Sequence, residues 1–284
     1  MPSERNDERL YFDTSAFQLL WRHKSISKET LAIVRTRLSA KHSPSPPVLI
    51  IGMPLLSELT PAHESSAEHM ADFRPQVEFL RACRVEIPFD GIDAMRSELA
   101  GTLPFVSKED VALLLGGVLD DKDAVRGQLE WSKARKEVWL ANEKVGRDEL
   151  FAAFETQKRL GSTIAREMDQ VERVVDEWYR DGVRDLAPDL GIAVDDAATV
   201  EPGRIPTLRA HCAYAVTRRY LVYRDGRKLD ENDSVDHQHY NAAAHATTLI
   251  IEDSKFREIA QACPAPRQRV RSFEQWVDDL QIHP

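Results

Sequence analysis

Cysteine is scarce in this 284-residue chain: Cys83, Cys212 and Cys263 stand far apart, odd in number and with no Cys-x-x-Cys pair. That excludes a disulfide framework and a cysteine-rich zinc site, and it points to a reducing, cytoplasmic setting. Long apolar runs are missing too. The longest, Val48–Ile51 and around Val111–Leu119, fall well short of the roughly 20 residues that a membrane span needs, so no membrane partner is expected. The charged opening Met1–Leu10 has no apolar signal core. The glycine-rich phosphate and dinucleotide loops, His-Glu-x-x-His and Gly-x-Ser-x-Gly are all absent, which sets aside P-loop ATPases, nucleotide-cofactor oxidoreductases, zincins and α/β-hydrolases. Positive charge is in deficit, with 38 Lys and Arg against 47 Asp and Glu, a formal net charge of −9. A general nucleic-acid-binding surface is usually basic.

What is present is the composition of a globular chain, 42% hydrophobic and 30% charged, long enough to bury a core. Leu10–Phe12 is a short apolar segment that stops at Asp13-Thr14-Ser15, a helix N-cap signal. Helices are expected over 15–23 and over 27–39, where Leu31, Val34 and Leu38 share a face. Three prolines between Pro44 and Pro47 force a loop. Val48-Leu49-Ile50-Ile51 is the most strand-like run, apolar on both faces as in a parallel sheet. Gly52-Met53-Pro54 then opens a helix, with Pro54 in the first turn. A helix over 65–82, a strand over 84–87 and a helix over 91–99 continue the alternation. This βαβαβα order points to a three-layer α/β domain.

The pattern changes between residues 105 and 205. That stretch reads as long helices with apolar residues three and four apart, closed by a loop over Leu186–Pro206. Residues 107–206 hold 15 Lys and Arg against 22 Asp and Glu, so seven of the nine net negative charges lie there. The remainder is nearly neutral, 23 against 25. An all-helical insertion (105–205) therefore interrupts a discontinuous α/β domain (1–104 and 206–284). Beyond it, helices are expected over 207–222, 234–246 and 253–261, with a strand over 247–251. A short strand and an amphipathic helix bearing Phe273, Trp276, Val277 and Leu280 close the chain.

Acidic residues recur at the ends of the expected strands. Asp13 follows the first and Asp253 the one over 247–251, while Glu58 sits one turn into the helix after Val48–Ile51. Asp236, with Asp233 three residues earlier, opens the helix before the 247–251 strand. Ligands of an open parallel sheet gather beyond the carboxyl ends of its strands, so these carboxylates are expected to converge. Converging carboxylates raise one another's pKa unless a cation neutralises them. An all-oxygen set suits Mg²⁺ or Mn²⁺, ions that activate water and stabilise phosphoryl charge.

Four segments resemble the motifs of PIN-domain nucleases, in order: Tyr11-Phe12-Asp13-Thr14-Ser15-Ala16-Phe17, Leu56-Ser57-Glu58-Leu59, the Asp-x-x-Asp-x-x-His run from Asp233 through Asp236 to His239, and Leu249–Phe256, in which Asp253 precedes Phe256 by three. The resemblance covers 1–104 and 206–284. It implies an α/β/α sandwich around a mostly parallel sheet, a Mg²⁺ or Mn²⁺ site, and an endoribonuclease cutting single-stranded RNA. Carried over by motif, Asp13, Glu58, Asp236 and Asp253 form the catalytic metal site, with Asp233 auxiliary. Ser15 orients Asp13 or meets phosphate, and His239 faces the scissile phosphate. The helical insertion departs from the family pattern and offers a surface for a protein partner or a second copy.

Plainer roles compete with these. Asp13 and Asp253 are helix N-caps whether or not they bind metal, Asp233 suits a turn, and His237 and His245 suit helix packing better than zinc. Trp131, Trp139, Phe151, Phe154 and Trp178 suit a helical core. Arg218, Arg219, Arg224, Arg227 and Lys228 crowd before the third motif, and Arg267, Arg269 and Arg271 near the end. They supply either phosphate contacts or solvated helix ends. Two other functions stay open: a catalytically silent binding or regulatory module of the same fold, and a structure-specific DNA nuclease.

Overall fold

Five short apolar segments pair side by side in the computed structural model, which describes residues 8–59, 67–89, 91–120, 168–225, 233–266 and 268–281. They are β1 (Arg9–Phe12), β2 (Val48–Ile50), β3 (Arg84–Glu86), β4 (Thr248–Ile250) and β5 (Arg269–Arg271), all parallel, in the order β3-β2-β1-β4-β5. In register, Tyr11 lies against Ile50 on one side and Leu249 on the other. The strands expected near these positions form, in an α/β fold.

Because side chains alternate along a strand, each central strand feeds two cores. Leu10 and Phe12 of β1, Leu49 of β2 and Ile250 of β4 join one apolar cluster, while Tyr11, Ile50 and Leu249 join another. Both faces are therefore buried, which explains why Val48-Leu49-Ile50 shows no polar alternation. The edge strands are different: β3 is Arg-Val-Glu and β5 is Arg-Val-Arg, charged sequences that discourage a further strand from adding.

Parallel strands need crossovers, and here helices supply them. On the Phe12 side pack α1 (Thr14–Leu19), α2 (Lys28–Leu38), α3 (Met53–Leu59), α4 (Ala67–Ala82), α6 (Lys108–Asp120) and α13 (Phe273–Asp279). On the Tyr11 side pack α7 (Met168–Asp185), α10 (Pro206–Asp225), α11 (Asp233–Ala242) and α12 (Ser254–Ala262), with α5 (Gly91–Leu99) against them. Local caps close the helix starts: Ser27 accepts the Thr30 amide, and Ser272 and Gln275 form a capping box on α13.

The stretch over 105–205 is helical at both of its described ends, and those ends join the two cores. Val111 and Leu115 of α6 enter the Phe12-side cluster, and Val171, Val175, Tyr179 and Val183 of α7 enter the Tyr11-side cluster. Trp131, Trp139, Phe151 and Phe154 lie outside the described residues, whereas Trp178 packs under the Arg219 guanidinium, 4.3 Å from the ring centroid. The expected loop over Leu186–Pro206 contains two short helices, α8 (Ala187–Leu190) and α9 (Val194–Ala197). Pro188 sits in the first turn of α8, where its missing N–H costs nothing, and Gly191 ends it at φ 74°.

Candidate functional site

The strand order reverses at β1, with β2 and β3 on one side and β4 and β5 on the other. At such a switch point the crossovers diverge and leave a crevice beyond the carboxyl ends of the central strands. The residue that leaves β1 there is Asp13. Its own amide still donates to Ile250 O (3.0 Å), which holds the strand end beside β4. Its Oδ1 accepts the Ala16 amide at 2.7 Å and so caps α1, and its Oδ2 accepts the amides of Glu252 (3.0 Å) and Asp253 (3.4 Å). One carboxylate thus ties the ends of two strands to the start of a helix. Asp13 is only 5% exposed, and burial raises its pKa above the usual carboxylate range against the opposing pull of these amides and of His239.

Glu58 reaches the same edge from α3. Its Oε2 accepts the Thr14 hydroxyl and lies 3.1 Å from His239 Nε2, with the Glu58 side chain 34% exposed and that of His239 3%. His239 comes from α11. Its Nδ1 is 2.6 Å from the hydroxyl of Tyr11, a wholly buried residue of β1. Burial, followed by the charges of Glu58 and Asp13, pushes the Tyr11 phenol well above its ordinary pKa. Both carboxylates therefore act on one phenol, and the His239 ring bridges that phenol to Glu58. Gly52, between β2 and α3, makes this approach possible. A Cβ there would lie 2.5 Å from Ala242 Cβ and 3.0 Å from the Tyr11 hydroxyl.

The remaining sequence candidates distribute as follows. Asp253 is exposed and caps α12, its Oδ1 accepting the Lys255 and Phe256 amides, both at 2.8 Å. Asp236 is half-buried on α11, one turn before His239 and so on its side of the helix. Asp233 begins α11, but its side chain lies outside the described residues, as does Arg227. Ser15 is exposed in the first turn of α1. Arg218 is buried on α10, where its charge acts on His211 and His237, and Arg219 stacks on Trp178. Among the described residues no group of three or more His, Cys, Asp or Glu side chains stands ready to hold a metal ion. Glu58 and His239 touch directly, and Thr14, next to Asp13 in the chain, binds the same Glu58 oxygen.

Tyr11 and Thr14 carry contacts that sequence reading assigned to neither. The available signal was a tyrosine inside an otherwise apolar strand, since a buried phenol needs a partner for its hydroxyl. Comparison with protein-family models, curated proteins and solved structures found no match to this chain. Among the described residues no helix is long and apolar enough to cross a membrane.

Proposed function

We propose that the protein is a divalent-metal-dependent nuclease with a PIN-like α/β/α sandwich, hydrolysing phosphodiester bonds in single-stranded RNA. The observation that carries this reading is the buried Asp13 carboxylate at the end of β1, where the strand order reverses, in one electrostatic neighbourhood with Glu58 and His239.

The donor chemistry fits Mg²⁺ or Mn²⁺. Mg²⁺ commonly takes one or two carboxylates, keeps several waters and completes its shell with substrate phosphate, so it does not require a ready-made protein cage. Asp13 and Glu58 would hold the ion. Asp236, one turn before His239, Asp253, whose amide binds Asp13, and the auxiliary Asp233 are the remaining acidic groups of the proposal. Bound there, the ion would supply water activation and stabilisation of the developing phosphoryl charge. The chain's own contribution is to bury Asp13, fix both its oxygens by backbone amides and keep Glu58 close by. Ser15, exposed beside Asp13, would meet phosphate.

The test is cleavage of labelled single-stranded RNA with and without Mg²⁺ or Mn²⁺, wild type against Asp13→Asn. Asparagine is also a good N-cap, so the helix start is retained. Divalent-dependent cleavage should fall roughly a hundredfold or more in the variant, with its circular dichroism unchanged. Equal cleavage by both proteins would overturn the assignment. Single-stranded DNA and flap substrates in parallel decide the substrate class, since cutting confined to either would replace RNA with DNA. No cleavage of any of them by wild type would favour a binding module.

A further inference from the structure

We infer that Tyr11 and His239 form a positioning relay that holds the Glu58 carboxylate in place for its cation, an inference that rests on the metal reading above. Neither residue needs to touch the reacting atoms. Their work is to remove the freedom of a side chain that is one-third exposed and would otherwise sample several rotamers.

The direction of the hydrogen bonds follows from the surroundings. Tyr11 lies in the middle of the sheet, wholly buried, and its hydroxyl meets His239 Nδ1 at 2.6 Å. The phenol O–H is the donor of this pair, since a neutral imidazole offers one bare ring nitrogen to accept it. Nδ1 is then the acceptor and the ring hydrogen sits on Nε2, 3.1 Å from Glu58 Oε2. Thr14 donates its hydroxyl to the same oxygen. Two donors from two different segments thus grip one oxygen of Glu58.

Packing makes the arrangement rigid. The Tyr11 and His239 rings meet edge to face, with centroids 5.9 Å apart at 74°, and Phe256 lies 6.3 Å from His239. Gly52 is the second, independent sign. With a Cβ 2.5 Å from Ala242 Cβ, α11 could not seat so close to the end of β2, and the 3.0 Å distance to the Tyr11 hydroxyl would crowd the relay itself. Hydrogen-bonding partners behind a ligating carboxylate typically contribute about 10- to 100-fold to metal affinity.

The experiment measures Mn²⁺ binding by electron paramagnetic resonance and, in metal-free protein, the His239 tautomer by ¹⁵N NMR. Wild type should show hydrogen on Nε2. Tyr11→Phe should give a mixed tautomer and Mn²⁺ binding weakened by about tenfold or more. His239→Gln, whose amide nitrogen can approach the Nε2 position, should bind Mn²⁺ more tightly than His239→Asn, whose amide is too short. Unchanged Mn²⁺ affinity in Tyr11→Phe, or equal affinity of the Gln and Asn variants, overturns the relay and leaves the metal site standing. If wild type binds no Mn²⁺, the metal reading itself fails, whatever the tautomer. Should Tyr11→Phe not fold, the Gln and Asn pair decides.

Discussion

At Gly52 a single methyl group is more than the structure can hold. The clash would be with Ala242 Cβ, a rigid atom on a helix backbone, so α11 would have to move. Overpacking of this kind costs about 1–3 kcal/mol. Gly52→Ala should therefore lower the thermal midpoint by several degrees, and an unchanged midpoint would show that α11 shifts freely. In the sequence, Gly52 reads only as the opening of a helix before Pro54; the need for a missing Cβ is imposed by Ala242, far along the chain. Asp13 divides in the same way. Its cap on α1 is legible in Asp-Thr-Ser, because the partner is three residues away. Its grip on the Glu252 and Asp253 amides is not, because those groups meet it only once β1 and β4 pair.

Among the helices, α5 and α10 are joined by a buried charge that nothing in the local sequence marks. Glu98, 5% exposed, accepts the Thr207 amide at 3.2 and 3.1 Å, the Thr207 hydroxyl at 2.5 Å and His245 Nε2 at 2.6 Å. It caps α10 from another helix, and a carboxylate suits the positive end of the α10 dipole. Removing it would leave the Thr207 amide and His245 without their acceptor in the interior. Glu98→Ala should cost about 3 kcal/mol in urea unfolding, with Glu98→Gln milder because it keeps one acceptor. Equal stability of the alanine variant would mean that water replaces the carboxylate. The sequence located α5 and the body of α10, although α10 is buried all round over residues 212–218. It could not pair them, since one cap on α10 comes from a residue that is ordinary in its own helix.

The whole molecule carries an acid sensitivity in the layer of α10 and α11. His237, 7% exposed, stacks on His211 (centroids 4.4 Å) and on Tyr214 (4.9 Å), with its Nε2 3.1 Å from His211 O. Burial first, then His211 and Arg218, hold its pKa well below the ordinary histidine value. The folded state thus keeps His237 neutral while the unfolded chain takes up a proton near pH 6.5. Stability is complete above about that pH and falls as acid is added through the window below it, down to the folded pKa. The urea midpoint should therefore drop between about pH 7 and pH 5.5, and His237→Phe, which keeps the stacking, should flatten the slope. An identical slope in the variant would assign the loss to other groups. The sequence by itself determined most of the elements: apolar runs long enough only for strands, caps at Asp13 and Asp253, and acidic residues where strands end. Those are set by contacts within a few residues. Tertiary structure alone decided the order β3-β2-β1-β4-β5, the turn of Arg218 and Arg219 into the helical layer, and the meeting of Glu58, His239, Tyr11 and Thr14. Each of these joins segments remote in sequence, and only the packing of helices on a twisted parallel sheet selects which remote groups share a hydrogen bond.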